Sequence, residues 1–184
     1  MGATLTFDPG VAFITGGSGG IGAAVTRAFA AAGCDIVFTY YRNRAAADQL
    51  VAELARPGQR IEAVQLSLED SAAVTACVGD VHKRFGRIHS VVYASGPVTP
   101  INFVGALSEE EWLRTFQLDT HACFNLARTV LPMLKEQKGG SITAVTTTQF
   151  ARHVPMSVLS SAPKAAIESM LQVAAREYGR YGVR

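Results

Sequence analysis

The sequence predicts an α/β protein built on a doubly wound parallel sheet, and three observations carry that reading. Short apolar runs near 11–15, 35–39, 61–66, 88–94 and 141–147 alternate with helical patterns near 20–32, 44–56, 71–85, 109–136 and 159–179. Strict βα alternation asks for crossover helices, parallel pairing and a sheet covered on both faces. The first run, Val11-Ala12-Phe13-Ile14-Thr15, passes directly into Gly16-Gly17-Ser18-Gly19-Gly20-Ile21-Gly22 and a helical pattern.

That glycine loop is the first element with a chemical meaning. Glycines allow the tight turn, let the backbone approach a pyrophosphate, and let helix and strand pack closely. The helix N-terminus then offers unpaired N–H groups and a favourable dipole to phosphate. Gly16, Ser18, Gly20, Ile21 and Gly22 are therefore candidate dinucleotide-binding residues. Further along, Gly33 and Gly86 stand just past helices, where a left-handed cap is often needed, and Gly139-Gly140 marks another break. The pattern near 109–136 repeats apolar residues at Trp112, Phe116, Cys123, Ala127, Val130 and Leu134, while that near 159–179 is rich in alanine and serine. One face of each can lie on the sheet and another can support a close helix–helix contact. A homodimer or homotetramer through these two helices is expected, although packing within one chain explains the first face fully. Gly182-Val183-Arg184 reads as the start of a sixth strand. The chain is accordingly taken as one domain over 1–184, expected to continue beyond Arg184.

Composition narrows the class. A chain of 184 residues with 48% hydrophobic and 17% charged residues can build a real core. A net charge of +2, without basic runs interleaved with aromatics, gives no reason to expect nucleic acid. No signal-peptide pattern and no apolar run of about 18 residues is present, so neither export nor membrane spanning is expected. Met1-Gly2-Ala3-Thr4-Leu5-Thr6 formally matches a myristoylation pattern, a match too cheap to weigh. Cys34, Cys77 and Cys123 are odd in number and lack metal-like or CxxC spacing. They read as buried thiols of a cytoplasmic protein without a metal site.

The spacing Thr15-Gly16-x-x-x-Gly20-x-Gly22 resembles that of the short-chain dehydrogenase/reductase family, and later segments agree. Gly86-Arg87-Ile88 leads into a strand ending Tyr93-Ala94-Ser95-Gly96, where the family usually reads Asn-Asn-Ala-Gly. Gly139-Gly140-Ser141-Ile142 opens the fifth strand, and Lys164-Ala165-Ala166-Ile167-Glu168 is similar to the helix carrying the family's catalytic lysine. The resemblance covers essentially the whole chain and implies a Rossmann-type fold, a nicotinamide dinucleotide and a small-molecule substrate. In such folds an acidic residue ending the second strand holds the ribose 2′-hydroxyl of NAD, and a nearby arginine accommodates the 2′-phosphate of NADP. Here Thr39-Tyr40-Tyr41 closes the strand without a carboxylate, and Arg42 and Arg44 follow. NADP(H) is expected, with Tyr41, Arg42 and Arg44 at its adenosine end; the bland alternative is two solvated arginines. Ser67 stands where many members carry aspartate near the adenine. Ala94 and Gly96 belong to the wall of the cofactor site.

The resemblance also exposes an altered catalytic set. Ordinary members use asparagine, serine, tyrosine and lysine, the tyrosine four residues before the lysine. Lys164 remains, but Ser160 holds the tyrosine position, Thr147 the serine position and Asp119 the asparagine position. A threonine hydroxyl still donates to a substrate oxygen. A serine hydroxyl cannot replace a phenol of pKa ~10 that an adjacent ammonium tunes downward. The 2,4-dienoyl-CoA reductase branch, which this chain resembles around Leu118-Asp119-Thr120 and Phe124-Asn125-Leu126-Ala127-Arg128, lacks the usual tyrosine–lysine spacing. There, hydrogen-bond donors stabilise a thioester enolate. The expected activity is thus NADP(H)-dependent hydride transfer to a carbonyl or an activated C=C. Lys164 would hold the nicotinamide ribose, Thr147 would donate to substrate oxygen, and Asp119 would supply or orient the proton source. Asp119 as a structural partner of Lys164 is the alternative role. A catalytically weak, nucleotide-binding sensor or assembly subunit is the alternative function. Pro163 requires the last helix either to begin near Leu159–Ser161 or to kink there.

Overall fold

The computed structural model describes residues 6–184, so the lipidation-like N-terminus lies outside the described residues except for Thr6. Five strands, β1 (Val11–Thr15), β2 (Asp35–Tyr40), β3 (Ile61–Gln65), β4 (Ile88–Tyr93) and β5 (Ser141–Ala144), form one sheet in the order β3-β2-β1-β4-β5. Every pairing is parallel. Between them run α1 (Gly20–Ala31), α2 (Arg44–Leu54), α3 (Ser71–Phe85), α4 (Glu109–Phe116) and α5 (Ala122–Glu136), and after β5 come α6 (Gln149–Arg152) and α7 (Val158–Tyr178).

The strands are apolar throughout because both sheet faces are covered. On one face Val11, Phe13, Val37 and Val91 meet Val74 and Val78 of α3, Leu126 and Val130 of α5, and Ile167 of α7. On the other, Ile14, Ile36 and Phe38 meet Ala30 of α1 and Ala47, Leu50 and Leu54 of α2. Alternate residues of β1 and β2 thus feed opposite cores, as a two-residue strand period requires. Local signals set the helix ends. Asn43 accepts from the Ala46 N–H and Asp70 from those of Ala72 and Ala73, while Gly86 closes α3 at φ +76°.

Three elements differ from expectation. The helix expected over 109–136 is broken by a π-helical turn, Gln117–His121, between α4 and α5. The buried residues Thr115, Asp119, Cys123 and Ala127 are spaced by four, which outruns a 3.6-residue period; a wider turn brings them back to one face. Trp112, expected in the core, is 37% exposed and stacks on Phe116 with ring centres 4.6 Å apart. The fifth strand ends at Ala144 rather than Thr147: Val145 N–H still donates to Tyr93 O at 2.9 Å, and the chain then turns so that the Thr147 hydroxyl accepts the Gln149 N–H at 3.2 Å just ahead of α6. Finally, α7 begins at Val158, so Pro163 sits beyond its first turn, inside the helix. The C-terminal segment does extend the sheet. Val183 bridges Gly140 in parallel, Arg184 donates to Gly140 O at 2.9 Å, and Ile142 donates to Arg184 O at 2.8 Å. Among the described residues no helix is long and apolar enough to cross a membrane.

Gly22 tests the packing logic. A Cβ there would collide with the Gly16 carbonyl oxygen, backbone that cannot move aside cheaply. Alanine gains at most about 1 kcal/mol of helix propensity over glycine, whereas overpacking costs about 1–3 kcal/mol. Gly22→Ala should therefore lower stability in urea unfolding; a stabilised variant would show that the contact is slack.

Candidate active site

The β1–α1 loop builds one wall of a cleft at the carboxyl ends of the strands. Gly16 has φ +64°, and its N–H points to the Thr39 hydroxyl at 3.3 Å, while the Gly17 N–H donates to Thr39 O at 2.9 Å. The loop is thereby tied to β2. No side chain caps α1 and its first turn holds no acidic residue, so the first-turn N–H groups stay available to an anion. The cleft measures about 780 Å³. Seven of the residues assigned to the cofactor line it: Gly16, Ser18, Tyr41, Arg42, Ser67, Ala94 and Gly96. Gly20 and Ile21 lie in the helical turn behind this lining, and Gly22 is buried against Gly16. Arg42 sits over the Tyr41 ring at 5.2 Å. Arg44 is apart from the lining. It begins α2 and contacts Asp48 at 3.4 Å in a strongly exposed pair, the kind worth only about 0.3–0.5 kcal/mol.

At the far end of the cleft lies a buried ionic cluster. Lys164 Nζ donates to Asp119 Oδ1 at 2.8 Å and to Ser95 O at 3.3 Å. The two side chains are only 15% and 4% exposed. Tyr93, wholly buried on β4, donates its hydroxyl toward both Asp119 O (2.9 Å) and Asp119 Oδ1 (3.2 Å). The π turn presents Asp119 to these donors and is tied to α7 by Thr120 Oγ1 donating to Pro163 O at 3.2 Å. A Cβ on Gly96 would stand 3.4 Å from Lys164 Nζ, so the ammonium abuts the cleft wall. Burial, reinforced by Asp119, pushes the Tyr93 phenol far above its ordinary range. Burial likewise pushes the Cys123 thiol up to about 12, Lys164 opposing and Asp119 adding, so this thiol is no nucleophile.

Comparison with known proteins agrees with this architecture. The sequence profile of the short chain dehydrogenase family matches residues 10–184. The chain belongs to the short-chain dehydrogenase/reductase family. It is 31% identical to a 2,3-dihydro-2,3-dihydroxybenzoate dehydrogenase of Bacillus subtilis, over 95% of this chain and 66% of that protein. It is 30% identical to a 3-oxoacyl-[acyl-carrier-protein] reductase of Synechocystis, over 94% of this chain and 70% of that protein. A solved short-chain dehydrogenase from Streptomyces avermitilis superposes with a TM-score of 0.86 at 29% identity, covering 96% of this chain and 63% of that one. The chain thus spans about two thirds of the length of these relatives.

Against the family's catalytic set, the structure joins some assigned residues and leaves others apart. Asp119 and Lys164 are in direct contact, which is the structural-partner arrangement. Ser160 lies one turn before Lys164 on α7, where i and i+4 share a face, and its side chain makes no hydrogen bond among the described residues. Thr147 is engaged with Gln149 N–H rather than with either. His121 and His153 are exposed. Sequence reasoning passed over Tyr93, although a phenol where the family usually has asparagine was the available signal.

Asp119→Ala would leave the Lys164 ammonium and the Tyr93 hydroxyl without their acceptor. Breaking a buried pair costs about 3–5 kcal/mol, and Lys164's remaining exposure places this one near the lower bound. Asp119→Asn, which retains an acceptor oxygen, should cost less. Equal stabilities of parent and Asp119→Ala in denaturant titration would mean that the pair carries no net stabilisation.

Proposed function

We propose that this chain is an NADP(H)-dependent oxidoreductase that transfers hydride to an activated C=C, such as an enoyl or dienoyl thioester, or to a carbonyl. The observation that carries this reading is the uncapped, glycine-lined start of α1 opening on a cleft whose far wall abuts Lys164. The residues present fit a dinucleotide. Backbone N–H groups around Ser18 to Ile21 would take the pyrophosphate, and Ser67 and Ala94 would flank the adenosine half. Bound nicotinamide supplies or accepts the hydride. The Lys164 ammonium would hold the ribose and stabilise developing negative charge, and Thr147 would donate to the substrate oxygen. Asp119 serves better as the partner of Lys164 than as a proton source, since Oδ1 already faces two donors and the residue is 3% exposed. The proton then comes from solvent water, a route that suits carbon protonation of an enolate better than ketone reduction.

Cofactor preference rests on Arg42 first. A guanidinium can bind a 2′-phosphate bidentately, and Arg42 lines the cleft where β2 ends without a carboxylate. Arg44 joins it only by leaving Asp48, which its weak exposed pair permits. Exposed Leu113 and Phe124 beside the π turn, and Val173 on α7, support association with a second copy through these helices. Three free cysteines suit a reducing compartment, the cytoplasm. A second reading, a nucleotide-binding subunit with little turnover, is favoured by Ser160 alone, because the phenol of the family pattern is missing one turn before Lys164. NADPH oxidation with a panel of ketones and unsaturated thioesters separates the two. Tight NADPH binding without turnover of any compound would favour the subunit.

Two variants sharpen the proposal. Arg42→Ala should weaken NADPH binding several-fold more than NADH binding, because only NADPH carries the 2′-phosphate; equal losses by calorimetry would remove Arg42 from recognition. Ser160→Tyr should raise ketone reduction by about tenfold, below the roughly 10²–10⁴ that acid catalysis typically contributes, because the neighbouring ammonium is already paired. C=C reduction should not improve. Ketone turnover unchanged by this substitution would show that the missing phenol is not limiting.

A further inference from the structure

We infer that Tyr93 is a positioning residue for Lys164, acting through Asp119, and that the Tyr93–Asp119–Lys164 chain is a single coupled unit. The inference deepens the proposed function, in which Lys164 faces the nucleotide. Tyr93 is fully buried and its hydroxyl reaches two oxygens of one residue, the Asp119 carbonyl at 2.9 Å and Oδ1 at 3.2 Å. Binding both ends of Asp119 fixes the direction of its carboxylate relative to the π turn. Oδ1 is also the oxygen that Lys164 Nζ contacts at 2.8 Å, so the phenol fixes the acceptor on which the ammonium rests. Among the described residues Lys164 keeps one other acceptor, Ser95 O, at the longer distance of 3.3 Å. The Tyr93 ring lies against the same ammonium, 5.2 Å from Nζ to the ring centre. The residue therefore confines Lys164 both through the carboxylate and through its ring face.

A buried pair is favourable only when its remaining lone pairs and protons are satisfied with good geometry. Tyr93 meets that condition at Asp119. The wide turn Gln117–His121 makes the arrangement possible, since the Asp119 carbonyl also receives the Ala122 N–H and remains open to the phenol. Tyr93 is not a substitute for the phenol missing at Ser160. It has no exposed surface, its hydroxyl is committed to Asp119, and burial holds the phenol neutral.

The test reads the freedom of Lys164 directly. The chain has four lysines, Lys83, Lys135, Lys138 and Lys164, and brief acetylation by acetic anhydride followed by mass spectrometry gives each a relative rate. Tyr93→Phe, which removes only the hydroxyl, should raise labelling of Lys164 relative to Lys83 by about fivefold, the shift that one lost buried hydrogen bond produces. Asp119→Asn should raise it comparably, and the double variant should add little, since coupled residues are non-additive. Unchanged Lys164 labelling in Tyr93→Phe, or fully additive effects, overturns the inference. If Tyr93→Phe does not fold, Asp119→Glu, which moves the carboxylate off both donors, must give the same selective rise, and its absence overturns the inference equally. A parallel arm with NADPH separates the two proposals. Loss of NADPH protection of parent Lys164, with the Tyr93→Phe effect intact, rejects the nucleotide reading and keeps the positioning role.

Discussion

A parallel sheet that steps outward from β1 to β2 and β3, then returns to lay β4 on the other edge of β1, cannot close over the carboxyl ends of β1 and β4. The connections after these two strands leave in opposite directions, and a crevice opens between them. Everything chemical in this molecule is placed by that crevice. The glycine loop lies there because it follows β1; Ala94, Ser95 and Gly96 lie there because they follow β4. Gly22 must be small because α1 starts so close to the loop that a Cβ would meet the Gly16 carbonyl. That contact in turn fixes where the helix N-terminus aims.

The second constraint is electrostatic. An aspartate buried among Tyr93, Cys123 and α7 is costly unless its charge is answered, since desolvation of a carboxylate is worth several kcal/mol. Lys164 answers it from α7, Tyr93 from β4, and the Thr120–Pro163 bond binds the same turn to the same helix. Pro163 fits this arrangement because its carbonyl has a partner even though its ring removes an intrahelical donor. The cluster therefore joins sheet, π turn and α7, and it holds the helix bearing Ser160 in place relative to the cleft.

Most of the fold was legible because buried parallel strands write themselves as continuous apolar runs and because the glycine loop has a fixed context. The parallel sheet and the C-terminal extension beside β5 both follow from that pattern, whereas the strand order comes from the structure. What escaped was set by tertiary contacts. The π turn needs the knowledge that Asp119 is buried, since a polar residue in a helical pattern reads as surface. The early end of β5 lies where the chain, after Val145 N–H donates to Tyr93 O, leaves β4 for the turn in which the Thr147 hydroxyl accepts the Gln149 N–H. Arg44 and Arg42 look equivalent as letters, yet the helix start at Arg44 turns one toward Asp48 while the other lines the cleft. Tyr93 was visible as a departure from the family's asparagine, but only its burial against Asp119 gives the departure a meaning.

Read together, the residues at 93, 119 and 160 form a consistent set. A free ammonium can draw the ionisation of a neighbouring phenol downward, because it favours the phenolate. An ammonium held 2.8 Å from a carboxylate acts on its surroundings more as a dipole than as a charge, and its field falls off faster with distance. Once aspartate stands at 119 and is locked by Tyr93, a phenol at 160 loses much of what would activate it. A serine there forfeits correspondingly less than it would beside an unpaired lysine. The residues at 93, 119 and 160 are thus compatible with one arrangement of charge, in which Lys164 rests on Asp119 at the cleft wall.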